Sequence, residues 1–285
     1  MIDLHAHTTA SDGELSPTAL IEAAAAAGLT ALSITDHDTV HGIPEALRAA
    51  EAHPSLRLIP GIELSAYLDG RREIHVLGHL LVHDDPRLLA HARQLGEQRR
   101  ARMEQMVARL QDAGLRVSME AVEREAASGQ FGRPHLARVL VQAGHASSMK
   151  DAFRRWLAEG RPGYVDRERL PPERAIELVH AAGGTATLAH PGSSRVEVWD
   201  LERLAAMGLD GVEALHPDHV PSLRDKFLRA AERLHLVPTG GSDYHGPLTT
   251  PDRTLGCGRT PAASLAALEA RRPPPQPASA PTAGA

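Results

Sequence analysis

Short apolar runs alternate with helical patterns along most of this chain. Residues 1–5, 30–35, 56–62 and 73–81 are apolar, β-rich stretches bounded by polar turn residues, and they read as strands. After the first comes Ser16-Pro17, an N-cap followed by a first-turn proline. Leu20, Ile21, Ala24 and Ala25 then fall at helical spacing up to Gly28, a C-cap. Residues 43–52 read as a second helix. The rhythm changes at Asp85-Pro86, where a charged helical segment begins and runs to about residue 113. Further helical patterns cover 118–127, 134–143 and 149–159, and no strand pattern occurs from 84 to 163. Alternation then resumes: helix 172–182 before strand 184–189, helix 198–207 before strand 211–215, helix 221–234 before strand 236–240, and a last helix at 262–270.

Seven strands, each read as followed by a helix, predict a parallel sheet. Seven is too few for a regular eight-fold barrel, so the expected fold is α/β, a distorted seven-stranded TIM-like barrel, with an open sheet as second choice. Residues 1–83 and 164–272 make up the expected barrel, and 84–163 a helical insertion covering its site. The Pro- and Ala-rich tail, 273–285, is expected to be disordered.

Composition narrows the classes. Only 3% of the residues are aromatic against 42% hydrophobic, so Ala, Leu and Val must fill the core. A formal charge of -5 argues against a surface for long duplex nucleic acid, although a local basic pocket stays open. The single cysteine, Cys257, excludes a disulfide framework within the chain and a thiolate zinc site, and it reads as a small filler near a late turn. No stretch is long and apolar enough for a bilayer, and Asp3 and His5 interrupt any signal-peptide core, so the expected location is cytoplasmic with no membrane partner.

Chemistry gathers where strands end. His5 and His7 are two residues apart and share a strand face, and Asp12 follows in a turn that Gly13 allows to bend. The second strand ends in Asp36-His37-Asp38, a costly sequence to bury unless those groups bind something. Asp36 and Asp38 are read as partners that orient imidazoles. Glu63 closes the third strand, where a carboxylate can bridge two ions. His75 lies inside the fourth and ranks above His79, four residues on. Ala189-His190-Pro191 and Asp243-Tyr244-His245 repeat the strand-end pattern. The C-terminal ends of barrel strands carry active sites. Imidazoles and carboxylates hold borderline divalent metals, and nine such groups fit three ions with shared ligands. Phosphate ester hydrolysis is then the natural reaction, with amide hydrolysis or deamination left open.

Taken in order, Asp3-Leu4-His5-Ala6-His7-Thr8, Thr35-Asp36-His37-Asp38-Thr39, Gly61-Ile62-Glu63-Leu64-Ser65, Ile74-His75-Val76-Leu77-Gly78, Ala189-His190-Pro191 and Gly241-Ser242-Asp243-Tyr244-His245 resemble the polymerase and histidinol phosphatase (PHP) family over residues 1 to about 258. The resemblance implies a distorted seven-stranded barrel holding two to three divalent ions, manganese, iron or zinc. The implied ligands are His5, His7, Asp12, His37, Glu63, His75, His190, Asp243 and His245. The stand-alone branch with a helical insertion acts on small nucleotides, removing the 3′-phosphate of nucleoside 3′,5′-bisphosphates or trimming short RNA from its 5′ end. Histidinol phosphatase shares the metal core and is a further alternative. Phe131-Gly132-Arg133-Pro134-His135 looks like that branch's substrate motif, so Arg133 and His135 are candidate phosphate contacts. Arg99 and Arg100 are weaker ones, and His216 is a candidate substrate contact. The implied partner is a small nucleotide or short oligonucleotide.

Overall fold

The computed structural model describes residues 1–126, 131–166 and 168–274. By internal contacts the chain forms two compact units, Met1–Ala90 together with the chain from Arg169, and His91–Glu168. The last residue of the helix expected at 118–127, and most of the tail expected at 273–285, lie outside the described residues.

The first unit is built on a seven-stranded sheet in sequence order: β1 (Ile2–Asp3), β2 (Ala31–Ile34), β3 (Arg57–Leu68), β4 (Arg72–His79), β5 (Thr185–Leu188), β6 (Gly211–Leu215) and β7 (Val237–Gly240). The chain beyond β7 returns to the chain beyond β1. Ala6 bridges Tyr244 in parallel, the Asp243 N–H donates to His5 O at 2.9 Å, and the His7 N–H donates to Tyr244 O at 2.9 Å. The result is a nearly closed barrel. Helices α1 (Pro17–Ala26), α2 (Ile43–Ala50), α7 (Pro172–Ala181), α8 (Val198–Ala206), α9 (Pro221–Arg233) and α10 (Ala262–Arg271) belong to this unit. Ser16 caps α1 as its sequence predicts, its hydroxyl accepting the Ala19 N–H at 3.1 Å ahead of Pro17.

The expectation of an all-parallel sheet with a helix after every strand is wrong at β4. β1, β2 and β3 are parallel, and so are β5, β6 and β7, but β4 runs antiparallel to both of its neighbours. β3 turns directly into β4 through Asp69 and Gly70, both left-handed at φ 52° and 65°. An Asp-Gly pair with two positive φ values makes the tight turn whose twist suits a hairpin. The reversal matters for chemistry. Ala189 donates its N–H to His75 O, so the early part of β4 lies level with the chain leaving β5, whereas His79 pairs with Gly61 and Thr185 at the other end.

Small aliphatics fill the core, as the low aromatic content requires. Leu20, Ile21 and Ala24 of α1 pack with Leu32, Ile34, Ile62, Leu64, Ile74, Val76, Leu188 and Val212 of the strands. A second cluster joins Ile2, Ala31, Ile59, Leu80 and Val237 to Leu265 and Leu268 of α10. Those strand residues mark the starts of β1, β2, β3 and β7 and the end of reversed β4, so α10 closes that mouth with hydrocarbon. The opposite mouth is polar.

The second unit has its own apolar cluster, including Met106, Leu110, Val122, Leu136, Leu140 and Leu157. Those residues come from α3 (Pro86–Asp112), α4 (Met119–Glu125), α5 (Arg133–Gln142) and the π-helical turn Phe153–Leu157 that continues α6 (Met149–Ala152). Among the described residues, no helix is long and apolar enough to cross a membrane.

Candidate metal centre

Six of the seven strands deliver candidate metal donors to the polar mouth. His5 and His7 leave β1 on one face, and Thr35 ties that stretch to β2 by donating its N–H to Ala6 O at 2.9 Å. His37 bridges Glu63 in parallel register, so the end of β2 is stitched to the middle of β3. Glu63 therefore lies inside a twelve-residue strand rather than at the end of a short one, as the sequence suggested. His75 comes from β4, His190 from beyond β5, and Asp243 and His245 from beyond β7. Asp38, His190 and Asp243 all have positive φ, at 54°, 23° and 49°. Such conformations in side-chain-bearing residues cost energy and cluster where function needs a side chain aimed.

The nine candidates fall into four overlapping groups: His7, Asp12, His37 and His245; His5, His7 and Asp243; His5, Glu63 and His190; and His37, Glu63 and His75. Glu63 is the hub. Its Oε2 lies 3.1 Å from both His5 Nε2 and His7 Nε2 and 3.4 Å from His37 Nδ1. Its Oε1 lies 2.7 Å from His75 Nδ1 and 3.1 Å from His190 Nε2. Asp243 Oδ1 is 3.4 Å from His5 Nε2 and from His7 Nε2. Asp12, on the outer side, is 3.4 Å from His245 Nε2 and 3.7 Å from His7 Nδ1.

Protons alone do not satisfy this arrangement. His5 Nε2 and His7 Nε2 face each other at 3.1 Å while both face the same two carboxylate oxygens. His7 Nδ1 and His190 Nδ1 are buried without a hydrogen-bond partner. Converging lone pairs on buried side chains are costly unless a cation sits among them. An all-nitrogen-and-oxygen donor set suits divalent first-row metals. The residues present fit the divalent ions that the sequence resemblance implies.

The charge balance of the cluster itself points the same way. Burial raises the cost of ionising Glu63, but His37, His5 and His75 outweigh it and hold its carboxyl well below the usual range. Asp12 and Asp243 are also held down against burial, Asp12 by His245, His37 and His7, and Asp243 by His5, His216 and His7. Burial likewise disfavours the charged forms of His7 and His75, yet the carboxylates facing them raise these rings to about 9 and about 10. His37 goes the other way, to about 4, because burial and the neighbouring His7 and His75 exceed the pull of Glu63 and Asp12.

Two supporting residues were not singled out from the sequence. Glu213, in the middle of β6, is 1% exposed; its Oε1 lies 3.1 Å from His5 Nδ1 and its Oε2 accepts the His190 N–H at 2.8 Å. It orients one candidate ligand and the backbone of another. Arg253 binds Asp243 Oδ2 at 2.6 Å. Glu213 had a visible signal, a lone carboxylate in the apolar run Gly211–Leu215. Arg253, in a turn-rich segment, had none.

The structure places the other singled-out residues as follows. Asp36, read as orienting an imidazole, hydrogen-bonds to none among the described residues. It accepts the Thr8 N–H and hydroxyl, each at 2.7 Å, and the Ser11 hydroxyl at 2.6 Å, which anchors the loop after His7. Asp38 accepts the Ser65 N–H at 3.0 Å and so ties the loop after β2 to β3. His79 lies at the other end of β4 with its Nδ1 3.2 Å from the Ser33 hydroxyl. His216 is at the mouth, 1% exposed, with Nε2 3.6 Å from Asp243 Oδ2.

The remaining substrate-side candidates belong to the second unit. Arg133 opens α5 with its guanidinium over the Phe153 ring, 5.8 Å from the centroid. His135 Nδ1 accepts the Gly132 N–H at 3.1 Å. Arg100 is paired with Glu104 and Glu123, so its charge is already engaged on its own helix and its neighbour.

Residues 3–165 match the PHP domain family. This chain belongs to that family. Its PHP relatives include the 5′-3′ exoribonuclease Rnm of Escherichia coli, 38% identical over 86% of this chain and 85% of its own. Another, the 3′,5′-nucleoside bisphosphate phosphatase of Chromobacterium violaceum, is 36% identical over 86% of this chain and 87% of its own. A crystal structure from Bifidobacterium adolescentis, described as a candidate metal-dependent phosphoesterase, superposes with a TM-score of 0.78 at 30% identity over 95% of this chain and 96% of that one.

Proposed function

We propose that this PHP-domain enzyme, a metal-dependent phosphoesterase, removes the 3′-phosphate from nucleoside 3′,5′-bisphosphates. The observation that carries the reading is the Glu63 hub. One buried carboxylate turns one oxygen to His5, His7 and His37 and the other to His75 and His190. A carboxylate placed in this way could be shared between adjacent cations, and Asp12, His245 and Asp243 would supply further donors. Two to three ions of manganese, iron or zinc fit nine donors grouped in this way. Bound divalent ions lower the pKa of water and neutralise charge on a phosphoryl group.

The chain's own residues do the rest. The nine donors would hold the ions, and Glu213, 3.1 Å from His5 Nδ1, orients one of them. His216, with Nε2 buried and without a hydrogen-bond partner, is an available donor for a phosphoryl oxygen. A 5′-3′ exoribonuclease acting on short RNA is the second reading, supported by the Escherichia coli relative.

A substrate panel tests the proposal. Manganese-loaded protein is offered adenosine 3′,5′-bisphosphate, a 5′-phosphorylated short RNA and histidinol phosphate, and turnover is ranked. We expect the bisphosphate to lead in kcat/KM. Faster release of mononucleotides from RNA would transfer the assignment to the exonuclease, and turnover of histidinol phosphate alone would reject a nucleotide substrate.

A further inference from the structure

The two oxygens of Asp243 have different surroundings. Oδ1 faces the imidazoles, 3.4 Å from His5 Nε2 and His7 Nε2 and 3.5 Å from His245 Nδ1. Oδ2 accepts a hydrogen bond from Arg253 Nη1 at 2.6 Å, and the same nitrogen donates to the Asp243 carbonyl at 2.9 Å. The other arm of the guanidinium, Nη2, donates to Asp218 Oδ2 at 2.7 Å. Asp218 in turn donates its backbone N–H to His216 Nδ1 at 3.2 Å. With Nδ1 accepting, a neutral His216 ring carries its proton on Nε2, the buried nitrogen 3.6 Å from Asp243 Oδ2.

We infer that Arg253 is a positioning residue of the metal centre: it occupies Asp243 Oδ2 so that Oδ1 alone is presented to a cation, and through Asp218 it keeps the His216 Nε2–H turned toward the site. The inference rests on the reading of Asp243 as a cation ligand. A carboxylate with both oxygens open can rotate or bind in two-oxygen fashion. A carboxylate with one oxygen held by a guanidinium arm, whose other arm is anchored on Asp218, does so less readily. Arg253 grips the side chain and the main chain of Asp243 together, at a residue whose backbone is already left-handed at φ 49°. Arg253 Nη1 takes the close hydrogen bond to Oδ2, and His216 Nε2 stands 3.6 Å from the same oxygen, within reach of an incoming oxygen.

Arg253 also brings a positive charge close to bound cations, and that effect has the opposite sign. Simple repulsion predicts that removing the charge tightens cation binding. Positioning predicts that it weakens binding, and that lysine does not substitute, because an ammonium cannot hold Asp243 and Asp218 in one rigid plane. The sign of the change separates the two.

The experiment strips manganese from the full-length loaded protein with graded chelator, comparing the parent with Arg253→Lys and Arg253→Met, and follows thermal unfolding of the same samples. Losing a group that orients a ligand typically weakens cation affinity about 10–100-fold, and we expect that loss in both variants. We also expect kcat to fall while KM for the nucleotide holds. Asp218→Asn keeps the Arg253–Asp243 pair and removes only its charged anchor; a smaller loss of the same sign is expected there, even if an Arg253 variant does not fold. Tighter binding in Arg253→Met, parental affinity in Arg253→Lys, or a raised KM with unchanged affinity would each overturn the inference. Chelator titration needs no turnover. A protein that held cations normally but cleaved no phosphate ester would sink the proposed activity and leave the role of Arg253 standing.

Discussion

Individual side chains show how the polar mouth and the hydrocarbon beneath it are kept apart. His79 sits below the site, fully buried, with Nδ1 near the Ser33 hydroxyl and Nε2 without a hydrogen-bond partner. Burial first, and then the nearby His5, push it down to about 3. Its unfolded value is the ordinary 6.5, so between pH 6.5 and 3 the unfolded chain takes up a proton that the fold refuses. The stability tied to His79 is present above pH 6.5 and is lost progressively as pH falls toward 3. That slope is about 1.4 kcal/mol per pH unit. His79→Gln, compared with the parent at equal metal loading, should therefore show a shallower fall in denaturant midpoint between pH 7 and 5.5. Identical slopes would mean that the imidazole is not held neutral. At the same scale, Glu213 and Asp36 show why residue type alone misleads. Both are buried acids beside the site, yet one orients an imidazole and the other holds a loop.

At the scale of elements, the reversed strand decides the site. A parallel β4 would bring His79, four residues further on, nearer the mouth than His75; running backwards, the strand leaves His75 at the mouth and His79 at the other end. Asp69-Gly70 between two apolar runs is the local signal for that hairpin, and it outweighs the strand-helix rhythm that suggests a uniform sheet. The end of β7 imposes a tighter constraint. A Cβ on Gly241 would collide with the His5 Cβ and lie 2.7 Å from Glu213 Oε1. Gly241→Ala therefore forces His5 or Glu213 to move. Overpacking of this kind costs about 1–3 kcal/mol. We expect a lower melting temperature together with weakened cation affinity, measured on one sample by calorimetry and chelator competition. Loss of stability with unchanged affinity would show that His5 and Glu213 do not move together.

For the molecule as a whole, protons and cations compete for one cluster. Without cations, burial disfavours protonation of His7 and His75, but the carboxylates facing them raise these rings to about 9 and about 10. Groups with raised folded values stabilise the cation-free fold below pH 6.5, and that contribution is lost as pH climbs through 9 and 10. Near pH 7.5 a cation must displace those protons. Manganese uptake should accordingly release protons, and apparent affinity should rise with pH until about 9–10. Calorimetric titrations in buffers of different ionisation enthalpy measure the release directly. Heats independent of buffer would contradict the convergence of imidazoles on Glu63.

Much of this was legible beforehand for a physical reason. Strand-helix alternation, the Ser16 cap and the His5–His7 pairing follow from periodicities of two and 3.6 residues, which are local. Donor chemistry is written in the residue types themselves, so all nine candidates could be named from short motifs. Convergence was a matter of tertiary structure. Glu63 meets His190 across 127 positions of chain, and Asp3 accepts the Ser242 N–H across 239. Such meetings depend on strand direction, register and closure, as do the roles of Glu213 and Arg253. No local pattern encodes them, because the same short run can face either mouth of a barrel until its neighbours fix which way it points.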